Sequence, residues 1–414
     1  MLIMIIKNAK IFTITSGIVE GDILIEGNII KKIGNISEQS ELKNNITDEH
    51  IINAKGKIVM PGFINTHCHA AMYFMKSSGR GLPVDRWLNE KIWPIENKMT
   101  PNDMKIGTKR SCIDMIKNGI TCFSDMYYET DSIAKAVEEI GIRCRPSWCF
   151  IGPLPNGKTN KDQAQKFIEN IKPTELIRPI ISAHATHTCS TETLELAKKA
   201  AEEKNLPLDI HVSENQSEVD QIIKRENLRP VEYLEKIKFL SSRVFFDHGI
   251  HFSDNELNII KKHNVKISHC PASNQWLNSG IIKLKEMLEL EITVSLGTDS
   301  IASNDQLSIQ HEMKKAREIQ DWKIPAKTLV KMATINGAIT LELDKEIGSI
   351  EEGKKADLII LDSTGDWEDI INAKINTVIC NGKILMENYK LMLNEKEIIE
   401  DFEKAKEKLL EKTK

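Results

Sequence analysis

The sequence predicts an α/β protein in which a (β/α)8 TIM barrel carries a small β-sandwich domain built from both ends of the chain. In the middle of the chain, short apolar strands alternate with helical segments, a pattern typical of parallel βα units. Towards both ends, polar and apolar residues alternate over short runs broken by turn residues, which is typical of antiparallel strands. A chain of 414 residues exceeds the usual size of one compact domain, so a large body with a smaller second domain is expected.

Charge and cysteine usage exclude several classes of protein. Lysine and arginine number 56 against 60 aspartate and glutamate, which gives a formal net charge of −4. No strongly one-signed segment precedes the Glu/Lys-rich C-terminal stretch, so we expect neither nucleic acid nor an anionic membrane as a partner. The eight cysteines form no CxxC pair, and the apolar run in MLIMIIKNAK at the start is too short for a signal peptide. Because no apolar run approaches the ~20 residues that span a bilayer, we expect a soluble, cytoplasmic protein with free thiols.

The two ends of the chain predict one composite β domain. Candidate strands lie at residues 5–15, 18–26, 29–33, 51–59, 358–361, 375–380 and 383–386. Neither set closes a core alone, so we expect the two sets to pair. The predicted units are a β-sandwich from residues 1–58 with 345–395, a metal-dependent barrel over residues 59–344, and a charged helical tail, a solvated cap, over residues 396–414.

The middle of the chain contains eight candidate barrel strands. They lie at residues 62–66, 119–125, 142–149, 179–183, 207–212, 243–246, 265–268 and 292–296. Amphipathic segments between them fit the outer helices of a barrel, for example residues 104–117, 131–139, 191–203 and 217–225.

The first barrel strand ends in the stretch MPGFINTHCHA at residues 60–70. His67 and His69 stand two residues apart, so in a strand their imidazoles share one face and can hold one ion. Two histidines in this spacing are also found as ordinary polar residues at a strand end, so this stretch alone leaves both interpretations open.

Polar residues at the ends of the other strands decide between these interpretations, because barrel enzymes carry their chemistry at the C-terminal ends of the strands. The residues at the eight strand ends include His67, His69, His184, His211, His248, His269 and Asp299. Each one alone could be a hydrogen-bonded strand cap. Together, imidazoles and a carboxylate at one barrel mouth predict a metal site. Glu214 follows shortly after His211, and Gly297 permits the turn that brings Asp299 into the mouth.

At this point the sequence resembles the amidohydrolase superfamily, and within it the deaminases of 5'-deoxyadenosine, methylthioadenosine and S-adenosylhomocysteine. The resemblance covers nearly the whole chain. It is carried by PGFINTHCH, WLNEKIWPIE, SAHATHTCS, HVSE, DHG, SHCPASN, SLGTDS and GSIEEGKKADLIILD. The family implies a barrel with a β-sandwich built from both termini, in agreement with the strand pattern.

The resemblance also implies roles for individual residues. The implied metal ligands are His67, His69, His211 and Asp299, and the implied catalytic residues are Glu214, His248 and Asp299. The substrate contacts it implies are Trp87, Glu96, His184, Glu214 and Asp299. Two-metal relatives bridge their ions with a lysine on the fourth strand, and RPIISAHATHTC has none, so one divalent ion per subunit is expected. Zinc is the first choice, although three imidazoles and a carboxylate also accept Fe²⁺ or Mn²⁺.

The implied reaction converts 5'-modified adenosines, and adenosine itself, to the inosine analogues plus ammonia. Such a site makes water a nucleophile near neutral pH. Glu214 is expected to deliver a proton to the ring nitrogen, Asp299 to relay one to the leaving amine, and His248 to orient the water. The expected partner is a small nucleoside, and the family implies a homo-oligomer, a tetramer or a dimer.

Substrate selection is less defined by the sequence. Glu96 can accept hydrogen bonds from two vicinal ribose hydroxyls, or it can be a helix-start charge. Family members that bind homocysteine often have an arginine at the end of the third strand, where this chain has Trp148. We therefore expect small, apolar 5' groups to be preferred, unless another cation such as Arg145 or Lys158 meets the carboxylate.

The sequence is compatible with two other functions, and several motif matches in it do not indicate a site. The same site could serve a guanine, cytosine or triazine hydrolase, and an inactive barrel could serve as a scaffold, although no candidate ligand is lost. His311 and Glu312 lack the second histidine of a zinc protease helix and are predicted to be a surface pair. The histidines without a motif partner are predicted to be structural or exposed: His187, His251 and His263. The H-x-E with P-C-x-x-C signature of the separate zinc deaminase fold is absent.

Overall fold

The computed structural model describes residues 3–36, 51–153, 160–170 and 172–412. Eight parallel strands form the central sheet, and neighbours along the chain are neighbours in the sheet. These strands are β6 (Phe63–Cys68), β7 (Ile120–Tyr127), β8 (Arg143–Phe150), β9 (Ile181–Ala185), β10 (Leu208–Val212), β11 (Val244–His248), β12 (Lys266–His269) and β13 (Val294–Leu296). The main-chain N–H of Asp299 donates to the carbonyl of His67 at 3.0 Å and joins the last strand to the first. The predicted (β/α)8 barrel is confirmed.

Strands from both ends of the chain form a second sheet, as predicted. Its strands are β1 (Ile3–Phe12), β2 (Ile18–Glu26), β3 (Ile29–Gly34), β4 (Ile51–Asn53), β5 (Ile58–Pro61), β14 (Leu358–Leu361), β15 (Ile375–Cys380), β16 (Lys383–Glu387) and β17 (Lys390–Leu391). The two ends meet where β5 pairs antiparallel with β14. The order is β17-β16-β15-β14-β5-β1-β2-β3, with β4 beside β1. The exact boundaries between the two units stay a prediction.

Helices surround the barrel, lie over its mouth and connect two strands of the second sheet. They are α1 (Val84–Trp87), α2 (Trp93–Glu96), α3 (Pro101–Lys117), α4 (Thr130–Ile140), α5 (Lys161–Asn170), α6 (Thr191–Lys204), α7 (Gln216–Glu226), α8 (Pro230–Lys236), α9 (Asp254–His263), α10 (Pro271–Trp276), α11 (Leu284–Glu289), α12 (Ile309–Ile319), α13 (Ala326–Met332), α14 (Ile335–Thr340), α15 (Trp367–Ile370) and α16 (Glu395–Glu411). Shorter helical turns span Ala70–Met75, Leu88–Ile92 and Ile301–Ser303. Within the described ranges, none of these helices has both the length and the apolar character needed to cross a membrane.

Local sequence explains where many of these helices begin. Thr100 and Asp103 form a capping box at the start of α3, and Ser253 and Glu256 form one at the start of α9. Side-chain caps of this kind satisfy main-chain N–H groups that have no partner inside the helix.

The C-terminal helix differs from the solvated cap predicted for this segment. Phe402 on α16 is 2% exposed and its ring packs against Tyr73 and Phe74 behind the first barrel strand. Its charged residues face solvent, but an apolar stripe on this helix covers the barrel. The eight cysteines are all buried and free, as predicted.

Candidate active site

The candidate site residues lie at the C-terminal ends of the barrel strands. His67 lies near the end of β6 and His69 follows that strand, while His211 lies on β10 and His248 ends β11. Asp299 follows β13. The ends of parallel strands meet at one mouth of a barrel, so side chains from distant positions of the sequence converge there.

The backbone at this mouth is held in uncommon conformations. Ser213, His248 and Asp299 all have positive φ angles, 54°, 70° and 54°. For residues other than glycine this region is sparsely populated, and such strain is concentrated at functional sites. A side chain at Gly297 would meet Cβ of His67 at 2.9 Å and Oγ of Ser268 at 2.8 Å, so only glycine fits beside the first strand.

Three imidazole nitrogens cluster in the mouth, and a carboxylate oxygen of Asp299 lies beside two of them. Nε2 of His67 lies 3.2 Å from Nε2 of His211 and 3.7 Å from Oδ1 of Asp299. That same Oδ1 lies 3.2 Å from Nε2 of His69. The three histidines each present one nitrogen within 4.8 Å of the others.

Main-chain carbonyls orient two of these rings. Nδ1 of His69 lies 2.6 Å from the carbonyl of Met126, and Nδ1 of His211 bonds the carbonyl of His184. A carbonyl only accepts, so both Nδ1 atoms carry the hydrogen and both Nε2 atoms present a lone pair to the centre. Lone pairs that face one another are unfavourable unless a cation lies between them. Ligands about 2.0–2.1 Å from a tetrahedral ion stand roughly 3.3 Å apart, so these donors fit one divalent cation.

The pKa shifts of the donor residues also indicate a site for a cation. Burial pushes the pKa of Asp299 upward, but the imidazoles of His67 and His69 outweigh it and hold that pKa well below its usual range. Burial lowers the pKa of His67, yet Asp247 and Asp299 outweigh it and raise it well above its usual value. For His211, burial and the neighbouring imidazole of His67 lower the pKa well below normal. The pocket therefore favours positive charge beside a carboxylate.

Glu214 lies beyond the fifth strand and faces the same space. Burial raises its pKa to about 7, although the nearby His248 lowers it. Oε2 of Glu214 lies 4.0 Å from Nε2 of His248, and Nδ1 of His248 lies 2.9 Å from Oδ1 of Asn274. A carboxyl group that keeps its proton near neutral pH can act as a general acid.

The mouth opens into a cavity with two lobes that share His69, Trp87, Leu88 and His184. The glutamate-96 lobe has a volume of about 60 Å³ and is further lined by Met72, Ile92, Trp93, Glu96, Met126, Tyr127, Tyr128 and Cys149. The glutamate-214 lobe has a volume of about 50 Å³ and is further lined by Val84, Ala185, His187, His211, Glu214, His248, Leu277 and Asp299.

The structure places the predicted substrate contacts along this cavity. Oη of Tyr127 donates to Oε1 of Glu96 at 2.7 Å, and burial raises the pKa of Glu96 despite that bond. Trp87 forms part of the wall, with its indole N–H donating to the carbonyl of Ser78 at 3.0 Å. Burial lowers the pKa of His184 to about 3, so this imidazole is neutral.

One strand-end residue is not brought to the cavity. His269 lines neither lobe, and both of its ring nitrogens lack a hydrogen-bond partner among the described residues. Burial lowers its pKa to about 3. His269 is therefore a neutral, buried residue outside the two lobes.

Other sequence predictions are corrected by the structure. His187 was predicted to be structural or exposed, but it lines the glutamate-214 lobe, because the turn after β9 bends over the mouth. Glu312 was predicted to lie on the surface, but it is fully buried and accepts hydrogen bonds from Ala272 and Asn304. His251 and His263 are hydrogen bonded away from the cavity, in agreement with their structural interpretation.

The arginines of the third barrel strand lie far from the substrate end. Arg143 and Arg145 belong to the first residues of β8, where Arg143 pairs with Asp357 and Arg145 donates to main-chain carbonyls. The suggestion that Arg145 meets a substrate carboxylate is therefore wrong. Trp148 packs on Phe167 of α5, with ring centroids 6.3 Å apart, and lines neither lobe. Lys158 lies outside the described residues.

Several residues of the cavity and of the cluster around His67 were not identified as site residues from the sequence, among them Tyr127, His187 and Asp247. Tyr127 could have been found, because it follows the second predicted strand within two residues, in the same place as the other strand-end residues. Asp247 directly precedes His248 in the DHG motif, but no spacing rule indicates that it faces His67.

Comparisons with known proteins add to this geometry. A model described as the amidohydrolase family matches residues 58–385. The 5'-deoxyadenosine deaminase of Methanobrevibacter smithii is 38% identical, over 96% of this chain and 95% of that protein. The 5-methylthioadenosine/S-adenosylhomocysteine deaminase of Thermodesulfovibrio yellowstonii is 39% identical, over 82% of this chain and 80% of that protein.

Solved structures share the fold. An adenosine deaminase from Xanthomonas campestris with bound zinc has a TM-score of 0.90 at 21% identity, with 98% of both chains covered. An atrazine chlorohydrolase from Arthrobacter aurescens complexed with zinc has a TM-score of 0.88 at 20% identity, with 97% of this chain and 100% of that chain covered. At this identity, the two likenesses establish the architecture alone.

Proposed function

Since the chain belongs to the amidohydrolase family, we propose that it is a hydrolytic deaminase of 5'-modified adenosines. It converts 5'-deoxyadenosine, 5'-methylthioadenosine and S-adenosylhomocysteine to the inosine analogues and ammonia. The single observation that carries the proposal is a pair of adjoining lobes that share four lining residues, one containing the donor residues and Glu214 and the other the half-buried Glu96. Relatives that match along most of both chains are named for these substrates.

The proposed metal ligands are His67, His69, His211 and Asp299. A divalent ion there supplies the Lewis acidity that makes water a nucleophile near neutral pH. Zinc is proposed, because imidazole and carboxylate donors suit it and the structural neighbours were solved with zinc. We propose one ion per subunit, held by the cluster of His67, His69 and His211 with Asp299 beside it; the second acidic group, Asp209 and Asp247, shares His67 with this cluster.

Glu214 is the proposed proton donor to the purine ring. Attack at the carbon that carries the amine pushes electron density onto the adjacent ring nitrogen, which must be protonated as the aromatic ring is lost. A carboxyl group with its pKa raised to about 7 keeps this proton in a large fraction of the molecules near neutral pH. Because Glu214 is buried, water does not compete for its hydrogen bond to the substrate.

Asp299 and His248 complete the proposed proton path. Asp299 has a pKa well below its usual range, so it is ionised and can take a proton from the nucleophile and pass it to the leaving amine. Nδ1 of His248 bonds the side chain of Asn274, which turns Nε2 towards Glu214 and the nucleophile. His248 therefore orients the nucleophile and stabilises its developing charge.

Glu96 is the proposed ribose-binding residue. Its carboxylate can accept from the 2'- and 3'-hydroxyls together, and Tyr127 holds one carboxylate oxygen in place. The glutamate-96 lobe then holds the sugar, and the glutamate-214 lobe holds the base. His184 and Trp87 line both lobes and contact the nucleoside where the two parts meet.

Small apolar 5' groups are the proposed preference. Among the described residues that line the glutamate-96 lobe there is no lysine or arginine, and most are aliphatic, aromatic or sulfur-containing. A carboxylate on the 5' group gains no ion pair from these residues. We therefore rank 5'-deoxyadenosine and methylthioadenosine above S-adenosylhomocysteine.

Hydrolysis of guanine, cytosine or a triazine by the same site is not favoured. The triazine enzyme shares 20% identity with this chain, whereas the adenosine-derivative deaminases share up to 39%. An inactive scaffold is not favoured either, because every proposed ligand is present. A cytoplasmic location and assembly into a dimer or tetramer stay predictions.

A substrate panel tests this function. We expect ammonia release with kcat/KM highest for 5'-deoxyadenosine or methylthioadenosine, lower for adenosine and S-adenosylhomocysteine, and lowest for guanine. Guanine as the best substrate would contradict the adenosine assignment. S-adenosylhomocysteine as the best substrate would contradict the ranking of 5' groups while leaving the reaction in place.

A further inference from the structure

The three imidazoles of the proposed metal site are supported by different groups. His69 and His211 each donate Nδ1–H to a main-chain carbonyl. His67 has no such carbonyl: its Nδ1 faces Asp247, whose Oδ2 lies 3.2 Å away. The Nδ1 atom of His67 therefore faces a carboxylate, whereas those of the other two imidazoles face uncharged main-chain carbonyls.

Asp247 is unusually placed for a charged residue. It is completely buried, and neither of its oxygens has a partner with hydrogen-bond geometry among the described residues. Asp209 lies beside it and is equally buried, with one oxygen accepting from Ser182 and the other without a partner. One nitrogen of His67 and one oxygen of each aspartate lie within 4.8 Å of one another.

The strand register explains how these carboxylates reach His67. Asp247 on β11 is the direct partner of His211 on β10, and Asp209 lies two residues before His211 on the same face. Both aspartates therefore point into the barrel at or just below the donor atoms. A buried carboxylate without hydrogen bonds or an opposing charge is costly. His67, whose Nδ1 lies 3.2 Å from Oδ2 of Asp247, links this carboxylate to a cation bound at Nε2 of the same ring.

We propose that Asp247 is a positioning residue for the metal site, which keeps Nε2 of His67 towards the cation and strengthens this imidazole as a ligand. The inference depends on the proposed function only because it needs a cation held by His67 and its partners. Carboxylates behind a ligating histidine fix its orientation and raise its basicity, and their loss typically weakens metal binding 10–100-fold. The cation in turn supplies the charge that opposes the buried carboxylate.

A pair of variants tests this role through metal affinity, without an activity assay. Asp247→Asn keeps the volume of the side chain and removes its charge. Its affinity for Zn²⁺, measured by competition with a chromogenic chelator, is expected to be 10–100-fold weaker than that of the wild type. The metal-free variant is expected to unfold at the same temperature as the metal-free wild type or a higher one, because it no longer buries an unpartnered carboxylate.

Asp357→Asn is the matched control at the other end of the barrel. It alters another buried aspartate that does not touch the proposed donors. It is expected to lower the unfolding temperature and to leave Zn²⁺ affinity within twofold of the wild type. If Asp247 were only a structural core residue, Asp247→Asn would behave like this control.

Asp247→Ala is a second test if the asparagine variant does not accumulate. Unchanged Zn²⁺ affinity in whichever variant is folded would overturn the inference. A wild-type protein that binds no divalent cation would overturn it as well. Because deamination is not part of the readout, a protein that binds Zn²⁺ but deaminates none of the nucleosides contradicts only the proposed function.

Discussion

The two ends of the barrel bury charge in opposite ways. At the start of β8, Arg143 donates through Nε and Nη2 to the two oxygens of Asp357 at 2.9 and 3.0 Å, and also to the carbonyl of Glu175. At the other end, Nδ1 of His67 and both oxygens of Asp247 have no partner with hydrogen-bond geometry among the described residues. All four of these charged or ionisable side chains are at most 3% exposed.

This contrast separates stability from function within one barrel. Asp357 immediately precedes β14, so its pair with Arg143 ties the barrel to the second sheet. A buried pair of this kind is tolerated because its hydrogen bonds are satisfied. At the mouth, buried charged groups lack hydrogen bonds from the described residues, and such groups are typical of functional sites.

Removal of a ligand at the mouth should give the largest effect. In His67→Ala or Asp299→Ala, we expect the bound ion and the activity to be lost together, with kcat/KM lower by more than about 10³-fold, since Lewis acidity contributes several kcal/mol. Metal analysis and ammonia release measure the two losses. Full activity of either variant in metal-stripped buffer would show that His67 and Asp299 are not ligands of a metal ion needed for activity, and that the mouth is not the functional end of the barrel.

Removal of one partner at the base should affect stability instead. Asp357→Ala leaves the Arg143 guanidinium buried without its carboxylate, which typically costs about 3–5 kcal/mol of unfolding free energy. We expect a lower denaturation midpoint with kcat/KM of the folded enzyme nearly unchanged. The double variant Arg143→Met/Asp357→Leu is the control and should recover most of the loss. Lost activity at unchanged stability would contradict the separation.

Glu214→Gln should separate the contribution of the mouth to binding from its contribution to catalysis. We expect the variant to be folded and metal-bound, with kcat lower by at least ~100-fold because proton delivery is removed. With its pKa raised to about 7, Glu214 carries its proton below that pH and loses it above. The wild-type kcat should therefore fall as pH rises through about 7, and the residual rate of the variant should lack this fall. An unchanged kcat would exclude Glu214 as the proton donor.

The smallest effects should come from the glutamate-96 lobe. Glu96→Ala should raise KM for adenosine derivatives and remove most of the preference for ribose over 2'-deoxyribose, because a charge-assisted hydrogen bond contributes about 1.5–3 kcal/mol. Tyr127→Phe removes only the bond that orients Glu96, about 1 kcal/mol, and should raise KM several-fold with kcat retained. Equal effects of the two changes would mean that Glu96 does not bind the ribose.

Much of the site could be predicted because its residues lie in short sequence patterns with recognisable spacing. His67 and His69 are two apart at a strand end, Glu214 follows His211 after a short step, and Asp299 follows a glycine. These spacings depend only on strand geometry and on the rule that barrel chemistry lies at the strand ends. The same rule placed His269 among the candidates, and the structure buries it outside the two lobes.

Other features depend on how far each element extends. The second barrel strand continues to Tyr127, beyond the predicted end at residue 125, and this extension brings its hydroxyl to Glu96. The C-terminal segment has a charged composition typical of a solvated helix. Phe402 nevertheless packs against Tyr73 and Phe74, which lie more than 300 positions earlier in the sequence. Strand and helix ends are decided by packing partners, which are remote in sequence.

The sequence by itself determined the barrel, the second β unit and the candidate residues at the strand ends, because periodicity and motif spacing are local properties of the chain; the ligands among those candidates were implied by the family resemblance. Only the tertiary structure decided which buried charges face each other. Arg143 and Asp357 are 214 residues apart, and Asp247 meets His67 only because the first and sixth strands of the barrel point their side chains into the same interior. Pairing across a closed sheet depends on register and on the geometry of closure, and neither is written in any single stretch of residues.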